Sequence, residues 1–402
     1  MKQKKIGNIR KLGIALLSAM LSAVLLSGCS GTTPAPNDPE GSNSNPNETE
    51  NSTMQQDPTP TPDEAAKLGY VVVTDTIPND GSVDVTKALQ QLIDENPNRT
   101  IFFPDGTYII SSPISTPANA YESVSLLLSN YAVIRASNTK WRSGEAMIRL
   151  GGRGKANGDT TKNGSNYFLE GGIIDGSGIA KGISVDSGRE TAIRNVSIKH
   201  TSVGIHVKWG VNNGSSDCDV YNVNIIGNST PDSVGILVEG FDNTFTNIRI
   251  GCVNVGVHIT SQANSLRNIH PLFQIARDDY ENSAGFWDEG GANWYDFCYS
   301  DHFRMGFRLK DGIRSYFNNC FAYWYDDSQW IDNVAAYTVE AFHADGVFNS
   351  VVRGFRAGFR NDRPARMLYE GKTGGKGSFE YVDMVTESTL TADDAYSKYL
   401  KN

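Results

Sequence analysis

The chain has 402 residues, 36 Lys and Arg against 45 Asp and Glu, a formal net charge of −9, 39% hydrophobic residues and 5 cysteines. That much apolar material can fill a core, and the acidic balance argues against nucleic acid as a partner. Apart from Cys29, the cysteines at 218, 252, 298 and 320 follow no metal-site spacing and read as buried thiols.

At the N-terminus, Lys2, Lys4, Lys5, Arg10 and Lys11 precede an apolar run from Leu12 to Leu26, followed by Ser27-Gly28-Cys29. A basic start, a short apolar stretch and a small-residue site predict an export signal over 1–28, too short for a stable membrane span. Leu26-Ser27-Gly28-Cys29 resembles the bacterial lipobox, which implies cleavage before Cys29, lipidation of its thiol and a firm membrane anchor. The expected location is therefore the cell envelope, with the folded part exported and facing outward. Losing the five basic residues takes the formal charge from −9 to −14. Residues 29–65, rich in Ser, Asn, Thr and Pro, cannot bury enough surface to offset their ordering entropy and read as a flexible tether. That leaves 66–402 as one folded domain.

The folded part opens with Asn79-Asp80-Gly81-Ser82-Val83-Asp84-Val85-Thr86-Lys87-Ala88-Leu89-Gln90, which leads into an amphipathic helix with Ala88, Leu89, Leu92 and Ile93 on one face and Asp84 as its cap. Strand, turn and strand follow in Thr100–Ile110, with Phe103-Pro104-Asp105-Gly106-Thr107-Tyr108 at the turn. This segment resembles the opening of the pectate-lyase superfamily, where an Asp-Gly-x-x-Asp-[Asp/Asn]-Thr-x-Ala-[Phe/Leu]-Gln stretch precedes Phe-Pro-x-Gly-x-Tyr. Val85 stands where that pattern usually has an acid. The resemblance implies an all-β fold, a single-stranded right-handed parallel β-helix with an N-terminal capping helix. An uncovered first coil would expose apolar core and unpaired strand edges.

From about 120 to 390 the sequence alternates strand and turn. One phrase recurs six times: Gly-Ile-Ser-Val (182–185), Gly-Ile-His-Val (204–207), Gly-Ile-Leu-Val (235–238), Gly-Val-His-Ile (256–259), Gly-Phe-Trp-Asp (285–288) and Gly-Phe-Arg-Leu (306–309). Its intervals of 22, 31, 21, 29 and 21 residues predict stacked solenoid coils, the two long intervals carrying loops on one side. The long interval before Gly285 makes Arg277–Asn282 a protruding loop. In step run Asn195-Val196, Asn222-Val223, Asn247-Ile248 and Asn268-Ile269, whose asparagines are expected to bond along a stacked corner and to have no chemical role.

Strand alternation points the third letter of the phrase, and the residue after the fourth, outward. One outward column is Ser184, His206, Leu237, His258, Trp287 and Arg308; the next is Asp186, Lys208, Glu239, Thr260, Glu289 and Lys310. The preceding strand adds Asn224, Arg249 and His270 to what reads as the same face. A face this rich in His, Arg, Lys and carboxylates exceeds what a structural exterior needs. Glu239 and Glu289 fall two coils apart, roughly 10 Å before side-chain reach at ~4.8 Å per coil. Side-chain bending brings such a pair to about 6.5–9.5 Å, the range that leaves room for water in inverting glycoside hydrolysis. Asp288 takes a position that is apolar in the other coils and reads as a substitute catalytic acid. Aromatic rings beside acids suit a sugar site, with Trp287 stacking on substrate and Trp209, Trp324 and Trp330 as further contributors.

The expected function is therefore an exported enzyme that cleaves a polysaccharide. The preferred chemistry is glycoside hydrolysis with Glu239 and Glu289 as acid and base and Asp288 in reserve. His206, Lys208, Arg249, His258, His270, Asp279, Trp287 and Arg308 would bind substrate. No metal or cofactor is expected for hydrolysis. Two alternatives stay open: a β-eliminating lyase on a uronate-containing glycan, with Ca²⁺ and a His, Lys or Arg base, and a non-catalytic glycan-binding surface protein. Homotrimeric association stays open too. The polygalacturonase branch of the superfamily carries Asn-Thr-Asp, Asp-Asp, Gly-His-Gly and Arg-Ile-Lys signatures; here only a lone Asp278-Asp279 is present, so none of that branch's catalytic residues is carried over.

Overall fold

In a computed structural model the chain is described over residues 60–154, 167–209, 216–274, 277–324, 337–360, 363–384 and 390–401. The export signal, Cys29 and Trp330 lie outside these residues. Short parallel strands stack coil upon coil in a right-handed parallel β-helix, the hand that parallel crossovers adopt. A helix, Pro62–Lys67, begins inside the segment read as tether, capped by Thr61 in a reciprocal pair with Glu64.

The helix Thr86–Asp94 buries Leu89 and Ile93 against the first coils, with Leu92 half-buried. Ala88, expected on that face, is exposed; Val85, just before the helix, is buried instead. Asp84 accepts from Thr86 N at 3.0 Å, which satisfies one of the free first-turn amides. Gln90 ties the helix to the solenoid by bonding both the carbonyl (3.0 Å) and the amide (2.8 Å) of Ser115. The Phe-Pro-x-Gly-x-Tyr turn closes on itself, since Tyr108 OH donates to Pro104 O at 2.8 Å. Gly106 takes φ 141°, and a Cβ there would stand 2.4 Å from Asn79 O.

The repeated phrase builds one ladder of this solenoid. Its second letter stacks inward as Ile183, Ile205, Ile236, Val257, Phe286 and Phe307, and the column continues to Phe342. All seven are at most 1% exposed, so the column is continuous core. Toward the C-terminal coils that core becomes aromatic: Phe286 stacks on Phe307 at 4.8 Å and Phe307 on Phe342 at 5.2 Å. The glycines are fixed by close approach. A Cβ on Gly182, Gly204, Gly235 or Gly256 would lie 2.4–2.6 Å from the glycine carbonyl of the next coil.

At one corner Asn195, Asn222, Asn247 and Asn268 all adopt the left-handed conformation, with φ between 52° and 56°. Their amides form a ladder: Asn222 donates to Asn195 (2.8 Å), Asn247 to Asn222 (3.0 Å) and Asn268 to Asn247 (3.1 Å). Asparagine suits both demands, tolerating positive φ and offering a donor and an acceptor along the stack. Replacing Asn247 by Ala should cost about 2 kcal/mol, from two lost hydrogen bonds and the left-handed penalty. Asn247→Gly should cost less, because only the bonds are lost; urea unfolding of the pair measures the difference.

Candidate active site

The outward column lies as the alternation requires, and it is longer than the phrase showed. Ser184, His206, Leu237, His258, Trp287 and Arg308 pair in register, and Arg149 precedes them while His343 and Tyr369 follow. The extensions escaped the sequence reading because Ala146-Met147-Ile148-Arg149 and Glu340-Ala341-Phe342-His343 lack the phrase's glycine. Apolar alternation around Arg149 and His343 was the signal available.

Two histidine–glutamate pairs stand on this face in the same relation, each His reaching the Glu of the next coil. His206 Nε2 lies 3.1 Å from Glu239 Oε2, and His258 Nε2 is hydrogen-bonded to Glu289 Oε1 at 2.7 Å. Both carboxylates remain open to solvent, with side-chain exposures of 41% for Glu239 and 26% for Glu289. Lys310 Nζ approaches Glu289 at 3.5 Å, whereas the basic side chain that meets Glu239 among the described residues is the His206 imidazole. Burial holds the His206 imidazole below its ordinary range, against the pull of Glu239 and with Lys208 and Lys181 adding to the effect. His206 is therefore neutral at neutral pH.

Trp287, expected to stack on substrate, has its ring faces occupied by neighbouring side chains. One ring face carries His258, parallel at 4.2 Å, and Arg308 lies over the ring at 4.4 Å. The indole is a spacer in an imidazole–indole–guanidinium stack. Arg308 continues to Asp345 at 3.3 Å, and His343 joins Asp345 (3.2 Å) to the buried Glu340 (2.6 Å). Glu340 also takes Arg366 at 2.9 Å and Arg304 at 3.4 Å. Burial lowers the His343 pKa, but Asp345 and Glu340 outweigh it, so its pKa is raised in the fold. The folded state then binds a proton that the unfolded chain releases above about pH 6.5. Stability from His343 is full below that pH and lost as pH rises through the folded value. Thermal melts from pH 6 upward should fall more steeply for the wild type than for His343→Gln.

Several expected site residues lie elsewhere. Asp288 points inward between Ile259 and Leu309 and is 1% exposed. It accepts from Gly290 N (3.0 Å), Gly291 N (2.9 Å), Asn293 Nδ2 (3.0 Å), Tyr295 OH (3.0 Å) and Ser315 Oγ (2.6 Å). Burial raises its pKa despite these donors. Its role is to close a turn, which corrects the catalytic assignment. Arg249 and His270 belong to a different ladder, following Asn224 there. His270 is 6% exposed, stacks on Tyr299 at 4.1 Å and meets Asp301 at 3.3 Å, so it too is structural. Burial would raise the Asp301 pKa, but His302 and His270 bring it well below the carboxylate range. Asp279 is held by Asn254 of the preceding coil and by Asn282 Nδ2 of its own loop at 3.1 Å. That loop is pinned by Tyr280, which is 1% exposed.

Lys208, one coil before Glu239, is engaged by Glu145 and lies 3.4 Å from Asp186. Trp324 is 1% exposed and cannot contact a ligand, while Trp209 is 49% exposed and packs edgewise on Phe241 at 4.7 Å. Cys218, Cys252, Cys298 and Cys320 are buried free thiols. Among the described residues no three His, Cys, Asp or Glu side chains are grouped to hold a metal ion.

This architecture is a right-handed parallel β-helix, the fold that the resemblance at the start of the folded part implies. Residues 71–127, the capping helix and first coils, match the family model for rhamnogalacturonase A/epimerase, pectate lyase-like proteins. Three solved structures share the fold at low identity. The endo-xylogalacturonan hydrolase of Aspergillus tubingensis has a TM-score of 0.54 at 16% identity, covering 79% of this chain and 93% of its own. The A-module of mannuronan C-5 epimerase AlgE4 of Azotobacter vinelandii has a TM-score of 0.53 at 13% identity, covering 81% and 98%. The tailspike of E. coli bacteriophage HK620, solved with a pentasaccharide, has a TM-score of 0.51 at 12% identity, covering 82% and 68%. The chain spans 63% of a further neighbour, ORF18 of Geobacillus virus E2. A comparison with curated protein sequences finds no match.

Proposed function

We propose that this chain is an exported, lipid-anchored glycoside hydrolase that cleaves a polysaccharide with Glu239 and Glu289. The observation that carries the reading is the repeated His–Glu pair: two solvent-open carboxylates on one column, two coils apart, each oriented by the histidine of the preceding coil. Two coils put their backbones about 10 Å apart, and side-chain reach then accommodates a sugar and a water between them. Support for a glycan substrate comes from the neighbours, two named for action on a polysaccharide and one solved with a bound pentasaccharide.

The roles follow from the surroundings. Glu289, with the Lys310 ammonium at 3.5 Å and His258 at 2.7 Å, is the base that takes a proton from the attacking water. Glu239, paired with a neutral imidazole, is the acid that protonates the departing glycosidic oxygen. The water oxygen bonds to the anomeric carbon as the carbon–oxygen bond to the leaving sugar breaks, and the configuration inverts. Arg308, fixed by Trp287 and Asp345, borders the column as a binding group for the adjoining sugar.

One observation favours a second reading. The neutral His206 imidazole could abstract the α-proton of a uronate in β-elimination. Incubation with a polysaccharide panel separates the two. New reducing ends in saturated products support hydrolysis, unsaturated uronates absorbing in the ultraviolet support elimination, and binding without products refutes both.

A further inference from the structure

A second face of the solenoid carries an exposed aromatic patch that the candidate active site does not use. On the ladder that precedes the asparagine corner, the outward positions of successive coils are Thr244, Ser265, Trp294 and Tyr316 in one column. Arg267, Asp296, Asn318 and Arg353 form the column beside it. Trp294 is 49% and Tyr316 37% exposed, with ring planes 12° apart and centroids 6.4 Å apart. Ser265, in the coil before Trp294, is small and leaves that side of the indole uncrowded.

The corner next to these rings breaks its own rule. Where four successive coils place asparagine in the left-handed conformation, the next has Phe297 at φ 53°, with 53% of the residue exposed; Asn319 restores the pattern one coil later. A bulky side chain at positive φ and an exposed apolar ring are each unfavourable, and asparagine would relieve both. Unfavourable local choices persist where they serve a function.

The polar groups around the rings indicate the ligand. Arg267 pairs with Asp296 at 3.7 Å, Asn318 Nδ2 donates to Asp296 at 3.2 Å, and Arg353 pairs with Glu380 at 3.1 Å. The two ion pairs offset one another, and the one further cation at the rings, Arg314, packs over Tyr316 at 5.7 Å, so the face lacks the run of basic groups that a polyanion needs. Charged residues between the rings also differ from the charge-depleted centre of a protein interface. Ring faces for sugar C–H surfaces, with amide and carboxylate edges for hydroxyls, are the requirements of a neutral glycan. The patch lies on open sheet rather than in a cavity, which suits a segment of a long chain.

We infer that this face is a second glycan-contact surface, binding a neutral polysaccharide segment through Trp294, Phe297 and Tyr316. It rests on the reading above only for the ligand class, and it holds the polymer while the His–Glu column acts on it. The test is binding of the full chain to a printed array of neutral and uronate-containing glycans. Four proteins are compared: wild type, Trp294→Ala/Tyr316→Ala, Phe297→Asn and Glu239→Gln/Glu289→Gln. Wild type and the glutamine variant should bind the same neutral glycans, and the aromatic double variant should bind them about tenfold more weakly or worse. Phe297→Asn should bind more weakly and melt at a higher temperature, since it completes the asparagine ladder; a simple folding defect would lower both.

Unchanged binding by the aromatic double variant overturns the proposal, as does a wild type that binds no neutral glycan. Sedimentation adds a third contrary result: an oligomeric wild type that the aromatic double variant converts to monomer assigns the face to self-association. Failure of the hydrolase reading shows separately, as turnover that survives in the glutamine variant.

Discussion

Glu289→Gln lowers turnover of the true polysaccharide substrate about 10²–10⁴-fold, the share general acid–base catalysis supplies, with little change in KM. The amide keeps the shape and a hydrogen bond to His258 but cannot take a proton from water. Glu239→Gln has an effect of similar size for the complementary reason, since an amide cannot protonate the glycosidic oxygen. Both side chains are solvent-open members of an outward column, so neither change should alter unfolding by more than a few tenths of a kcal/mol. His258→Gln, which removes the partner that orients Glu289, should lower turnover less than Glu289→Gln and shift its pH profile. Steady-state kinetics with thermal melts on the same preparations check all three, and full turnover in both glutamine variants would end the assignment.

Asp288→Ala has the opposite signature. It strips the acceptor from two backbone amides, an asparagine amide, a tyrosine hydroxyl and a serine hydroxyl, all around a position 1% exposed. Buried donors left without partners cost about 1–3 kcal/mol each when no water replaces the acceptor, and local relaxation brings the expected total to about 3–5 kcal/mol. Asp288→Asn keeps one oxygen and should lose less. The folded fraction of either variant should turn over substrate at the wild-type rate, because the carboxylate has no path to it. Urea unfolding with activity normalised to folded protein distinguishes this from a catalytic role.

The two aspartate and glutamate outcomes mark where sequence patterning carries and where it stops. Period and alternation located Glu239 and Glu289 on the outside, since a two-residue strand repeat leaves no other choice once the Ile and Val positions are assigned inward. The asparagine corner was legible for the same reason: its residues recur at one register and satisfy one conformation. Asp288 violates the inward pattern, and a violation alone does not say whether the group faces a substrate or a ring of donors. The side-chain donors are Asn293, Tyr295 and Ser315, and Ser315 is supplied by the following coil, which local pattern cannot show.

Trp287 exposes a related limit. Its outward direction was read correctly, but its ring faces are taken by His258 and Arg308 from the coils on either side. Arg249 and His270 alternate as an outward pair should, yet they belong to a ladder of their own. Alternation gives inside or outside; which of several outer faces a strand presents depends on where the chain turns. The aromatic patch at Trp294, Phe297 and Tyr316 lies outside the repeated phrase, and the alignment of Trp294 with Tyr316 needs the register of the next coil.

The most direct measurement is the configuration of the first product, followed by proton NMR as the enzyme cleaves a substrate found on the polysaccharide panel. Glu239 and Glu289 two coils apart, with room for water between them, predict a saturated product whose new reducing end has the anomeric configuration opposite to that of the bond cleaved. A product that retains its configuration, or one with an unsaturated uronate at its end, would contradict the account.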